Sequence, residues 1–127
     1  MTLVWGVAGA AGGLVFALLV ARASRARAAE IFAISLAFIA AVYVGPAVGG
    51  VSAADTAESL VGFGFLVFSI VAVRRPPFWL ALGYLAHGAW DALHGHGVPA
   101  TLPAWYAPAC LGFDWAVAAV LVWRART

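Results

Sequence analysis

The chain has 127 residues, of which 65% are hydrophobic and only 9% charged, with a formal net charge of +2. A soluble domain carries about 25% charged residues and needs them to cover its surface, so this composition excludes a soluble globular protein and, equally, a disordered one. Seven arginines and no lysine give no basic face for nucleic acid. An integral membrane protein is what remains, with a mean hydropathy of +1.02.

A membrane-crossing helix needs about 20 mostly apolar residues. Breaks at Arg22–Glu30, Gly49–Thr56, Arg74–Pro77 and Gly95–Pro103 leave stretches at about 2–21, 30–48, 57–73, 77–95 and 104–123. The first has no basic leader before it, and its first charge is Arg22, so it reads as a retained helix. Its run Gly6-Val7-Ala8-Gly9-Ala10-Ala11-Gly12-Gly13 lets another backbone approach closely. Ordinary packing within the bundle is the expected use, ahead of a dimer motif. Glu30 is expected at the start of the second stretch, favouring its dipole, with Pro46 kinking its far end.

Asp55 and Thr56 are expected to cap the third stretch, which places Glu58 in the capping-box position. The fourth stretch is the least apolar, holding Tyr84, His87, Asp91 and His94. A four-helix chain with a re-entrant polar segment is the competing count. Pro108 falls in the first turns of the fifth stretch, where a proline costs little.

The arginines decide the count. Arg22, Arg25 and Arg27 follow the first stretch, Arg74 and Arg75 the third, Arg124 and Arg126 the fifth. Five crossings put all seven on one side, and the positive-inside rule makes that side cytoplasmic. The expected fold is therefore an all-α membrane bundle of five transmembrane helices over 1–127, as a single domain. Its N-terminus lies outside, its C-terminus lies in the cytoplasm, and it resides in the inner (plasma) membrane. Trp79 and Trp123 then fall at the inner interface, Trp5 and Trp105 near the outer one.

The intramembrane polar residues carry the functional signal. His87, Asp91 and His94 share one helical stripe with Tyr84 a turn below, and Tyr106, Cys110 and Asp114 make a second stripe. The opposite positions of the fifth stretch, Val117, Val120 and Leu121 among them, are apolar. At about 1.5 Å per residue from the arginine boundary, His87 and Asp114 both lie about 15 Å deep, and Asp91 and Cys110 about 22 Å. Glu58 and Tyr43 come out near 24 Å. An isolated carboxylate at the bilayer centre costs about 2.5–3.5 kcal/mol, so such residues mark a functional site by default.

Three chemistries fit. His87, Asp91 and Asp114 suit zinc or another divalent transition metal, with Glu58 or His94 as a further ligand or general base. Such a site suggests a metal-dependent hydrolase acting on a small or lipid-soluble substrate. His94 sits about 10 Å along the helix from His87 and would join only if the helix opened at Gly95 and Gly97. The alternative is a proton-coupled carrier or ion-handling protein, although the ladder stops near the midplane, with only Tyr84 and Ser69 below. The third is a buried polar pair that fixes helix register in a structural subunit.

Tyr43, Tyr84, Tyr106 and Cys110 complete the expected pocket, which opens to the outer face. Cys110 reads as a small buried hydrophobe more than as a nucleophile. His96 reads as a solvated loop residue. Ser59 beside Glu58 gives no Ser–His–acid arrangement. The expected partners are the lipid bilayer, the small or lipid-soluble ligand and, as an open expectation, a second copy of the chain.

The strings Ala86-His87-Gly88-Ala89-Trp90-Asp91-Ala92-Leu93-His94 and Pro103-Ala104-Trp105-Tyr106-Ala107-Pro108-Ala109-Cys110, followed by Asp114, carry a resemblance. They resemble an uncharacterised family of small bacterial multi-pass membrane proteins, a domain of unknown function. The resemblance implies a recurring polar set and no particular activity, substrate or cofactor. A looser similarity, to membrane-embedded metal hydrolases with His and Asp ligands on several helices, covers less of the pattern.

Overall fold

The computed structural model describes residues 2–47, 49–50, 52–94 and 102–127. They form five helices in chain order: α1 (Thr2–Val20), α2 (Arg25–Ala47), α3 (Ala53–Ala72), α4 (Pro77–His94) and α5 (Tyr106–Arg126). No strand occurs among the described residues. By length and apolar content α1, α2, α3 and α5 can each cross a membrane.

Helix α4 is the more polar one, yet it runs the same course as its neighbours. Pro77 near its start adjoins the arginine-bearing ends of α2, α3 and α5, while His94 at its last residue reaches Glu58 in the second turn of α3. Its 18 residues rise about 27 Å, close to the hydrocarbon thickness of about 30 Å.

The helix starts differ from the apolar stretches because a helix is limited by its caps rather than by its charges. α2 begins at Arg25, where Ser24 Oγ accepts from Arg27 N–H at 3.3 Å. Glu30 therefore lies in the second turn, exposed, and not at the helix start. α3 begins at Ala53 with Ser52 as its N-cap. Asp55 N–H donates to Ser52 Oγ at 3.1 Å and the Asp55 carboxylate accepts from Ser52 N–H at 3.3 Å, closing the capping box. The box thus belongs to Ser52 and Asp55 rather than to Asp55 and Glu58. Pro77 opens α4 and Pro108 sits in the first turn of α5, where neither removes a helical hydrogen bond. Pro46 lies in the last turn of α2.

Helix α5 is central, packed along α1 on one side and α4 on the other, while α2 and α3 form a second pair that α4 joins to the rest. The α1–α5 seam is the glycine run. A Cβ on Gly9 would overlap the Ala109 carbonyl, one on Gly13 the backbone of Phe113, and one on Gly112 the Gly6 carbonyl. Gly6, Gly9 and Gly13 of that run pack inside the chain, as expected of bundle packing, while Gly12 meets open space. Because α5 is flanked twice, Val117, Val120 and Leu121 are buried rather than facing lipid, and Trp115 takes the lipid side.

All the helices alternate in direction. Trp5 and Trp105 pack at one end with ring centroids 5.7 Å apart and planes tilted by 41°. Arg22, Arg25, Arg74, Arg75 and Arg124 line adjoining cavities at the other. In the arginine half the core is apolar, built on Ala17, Phe32, Leu36, Leu80, Val117 and Leu121. The other half, toward Trp5 and Trp105, holds the polar cluster.

Candidate metal centre

Helical spacing delivers the cluster. His87 and Asp91 are one turn apart on α4, and Cys110 and Asp114 one turn apart on α5, so two facing helices each present one donor at each of two levels. One donor atom from each of the four residues lies within 4.8 Å of the others. His87, Asp91 and Asp114 are no more than 1% exposed.

His87 Nδ1–H donates to Asp114 Oδ2 at 2.7 Å and stands 3.4 Å from Asp91 Oδ2. The Cys110 thiol lies 3.8 Å from Asp114 Oδ2 and 4.0 Å from His87 Nδ1. From α2, Tyr43 O–H donates to Asp91 Oδ1 at 2.7 Å. Phe65 of α3 packs edge-on against the His87 ring, with centroids 5.0 Å apart. Three buried atoms keep no partner: His87 Nε2, Asp91 Oδ2 and Asp114 Oδ1. A buried polar atom without a partner costs about 1–3 kcal/mol, so these are the atoms that an added ligand could satisfy.

Glu58 and His94 are brought together, but apart from the four-donor group. His94 Nε2 meets Glu58 Oε1 directly, and Trp90 Nε1–H reaches Glu58 Oε2 at 3.4 Å. His94 Nδ1–H donates to the Trp90 carbonyl at 2.9 Å, which uses its second nitrogen. Both nitrogens of His94 are engaged, so as placed it offers no free ligand atom. Tyr43 joins the two groups: its ring stacks on His94 at 4.2 Å and 10°, while its hydroxyl holds Asp91. Tyr106 packs against Tyr43 edge-on at 5.5 Å.

Tyr84 is fully buried in the apolar half, and its hydroxyl donates to the Phe32 carbonyl at 2.7 Å. It ties α4 to α2 below the cluster rather than lining it. His96, Gly95 and Gly97 lie outside the described residues. Cys110 is the donor the sequence undervalued. Its level match with Asp91 and its one-turn spacing from Asp114 were the signal for it.

Chemically, two carboxylates cancel the charge of one divalent cation, while neutral imidazole and a thiol are donors for first-row metals. Tetrahedral zinc ligands lie about 2.0–2.3 Å from the ion. The cluster is therefore slightly wider than a loaded site, and the His87–Asp114 proton occupies the space between two donors.

A family model covers residues 4–127 of the chain and is described as a family of unknown function, DUF6010. The chain belongs to this family. No curated protein and no solved structure matches it.

Proposed function

We propose that this member of the DUF6010 family is a membrane protein that binds a divalent transition metal within the bundle, through His87, Asp91, Asp114 and Cys110. The observation that carries the reading is the convergence of four buried donors from α4 and α5 within 4.8 Å, with Asp91 Oδ2 and Asp114 Oδ1 unpartnered. Zinc fits the mixed nitrogen, oxygen and sulfur set. Tyr43 holds Asp91 in place from outside the donor group.

What the centre does depends on Cys110. Four protein donors close a zinc site, whereas catalysis needs an open position. With Cys110 outside the coordination sphere, His87, Asp91 and Asp114 leave one position free for water. The reaction would then be metal-assisted hydrolysis of a small or lipid-soluble substrate, with the Glu58–His94 pair as the nearby acid–base group.

The direct His87–Asp114 hydrogen bond at 2.7 Å favours a second reading, a polar core that fixes the register of α4 on α5. Elemental analysis of detergent-purified protein separates the two. Metal binding predicts about one transition ion per chain, lost in both His87→Ala and Asp114→Ala. Cobalt substitution adds a test of Cys110: a thiolate-to-metal absorption band, absent in Cys110→Ser, places sulfur on the ion. Wild type that stays folded and metal-free after supplementation overturns the metal reading and leaves the register-fixing core.

A further inference from the structure

The strongest charge asymmetry in the molecule lies at the opposite end from the Glu58–His94 pair. All seven arginines belong to that end, where Glu30 is the one acidic side chain. No arginine makes an ion pair with a carboxylate among the described residues. Four of the seven line one cavity. Arg25 of α2, Arg74 and Arg75 after α3, and Arg124 of α5 surround a cavity of about 250 Å³ between the helix ends. Its floor is apolar, formed by Phe32, Leu80 and Leu121. Arg124 lines this cavity and the neighbouring one, and its Nη1 is buried without a partner. The Arg75 guanidinium is held over the Trp79 ring, 5.8 Å from its centroid.

A topological signal alone needs arginines near the helix ends and nothing more. It does not require a cavity between four helix ends, nor a guanidinium nitrogen buried with its hydrogen-bonding capacity unused. An unpartnered buried N–H of a cation is costly, and the fork of an arginine matches the oxygens of a phosphate. At about 250 Å³ the cavity has room for more than one water. The apolar floor beneath a cationic rim suits an amphiphile whose phosphate sits at the membrane surface. Basic pockets between membrane helices recognise anionic headgroups in this way.

We propose that the cavity ringed by Arg25, Arg74, Arg75 and Arg124 is a binding site for the phosphate of an anionic phospholipid. The headgroup phosphate takes the guanidinium groups of Arg74, Arg75 and Arg124. The first carbons of the lipid lie against Phe32, Leu80 and Leu121. The site is independent of the metal centre, so its success or failure leaves that reading untouched.

The test is titration of the full chain in non-ionic detergent, followed by native mass spectrometry. The probes are short-chain phosphatidylglycerol, phosphatidylcholine with the same chains, and inorganic phosphate. Phosphatidylglycerol is expected to bind at one per chain and about tenfold or more tighter than phosphatidylcholine. Arg124→Gln and the double variant Arg74→Gln with Arg75→Gln are each expected to weaken it by about tenfold. Arg126→Gln, whose arginine does not line the cavity, is expected to change it less than about twofold. Should Arg124→Gln fail to fold, the exposed Arg74 and Arg75 pair decides the matter. An equal loss in Arg126→Gln overturns the site in favour of diffuse surface charge. Equal binding of phosphatidylcholine overturns the requirement for an anion. Displacement of the lipid by equimolar inorganic phosphate assigns the cavity to free phosphate instead and overturns the lipid proposal.

Discussion

A carboxylate with no water around it must find a cation, a donor or a proton. Asp114 has His87 on one oxygen and nothing on the other, and Asp91 has Tyr43 on one oxygen and nothing partnered on the other. Each residue is therefore half-satisfied by the protein, and the Cys110 thiol lies 3.8 Å from the Asp114 oxygen that His87 holds. The pairing predicts an asymmetry in metal-free protein. His87→Leu or Asp114→Leu alone is expected to destabilise by about 3–5 kcal/mol, because a buried partner is stranded. The double substitution is expected to cost less than either single one. Unfolding in detergent by denaturant titration measures all three, and a double variant worse than both singles would contradict the pairing.

Tyr43 tests the same site from outside it. Tyr43→Phe removes the hydroxyl that holds Asp91 while keeping the ring that stacks on His94. Metal affinity is expected to fall about 10–100-fold with stoichiometry preserved, as for other groups that orient a ligand. Competition against a chelator of known affinity reads the shift. No change would show that Asp91 is not oriented by Tyr43 in the loaded site.

At the scale of elements, α5 matters most because it is used on two faces. One face carries Cys110 and Asp114 toward α4, and the other lies against the glycines of α1. Without a hydrophobic effect between helices inside lipid, close backbone approach is what holds such a pair. Gly13→Leu would drive a side chain into the Phe113 backbone and push α1 away. Overpacking of this kind costs about 1–3 kcal/mol or more. Thermal unfolding should show that loss, whereas Gly12→Leu, which meets open space, should leave stability nearly unchanged. Equal effects at the two positions would rule out the seam as the cause.

At the scale of the whole molecule, the charges sort by end. The arginines collect at one end, and Trp5 and Trp105 pair at the other. Basic residues resist translocation across the membrane, so the arginine end is the one expected to stay in the cytoplasm. Reporter fusions after Thr127 and before Met1 should be active on the cytoplasmic and outer sides respectively. The opposite pattern would invert the proposed orientation. A same-side result would mean that α4 does not cross.

Much of this was legible from residues alone, because a bilayer leaves few options. Apolar length fixes the helices, and the arginine spacing fixes which ends gather together. One-turn spacing on two adjacent helices is enough to put His87 level with Asp114 and Asp91 level with Cys110, since antiparallel neighbours share a ruler of about 1.5 Å per residue. The helix starts were less legible, because Ser24 and Ser52 cap helices that extend beyond the apolar stretches.

What only the tertiary structure decided is lateral. Depth along a helix says nothing about azimuth between helices, so the sequence could put Glu58 at the right height without revealing its partner. The fold gives Glu58 to His94, sends the Tyr84 hydroxyl to the Phe32 carbonyl, and makes Tyr43 the link between two polar groups. It also buries Val117 and Leu121, because α5 is packed on both sides. Periodicity determines which face of a helix is special. Only the arrangement of all five determines what that face meets.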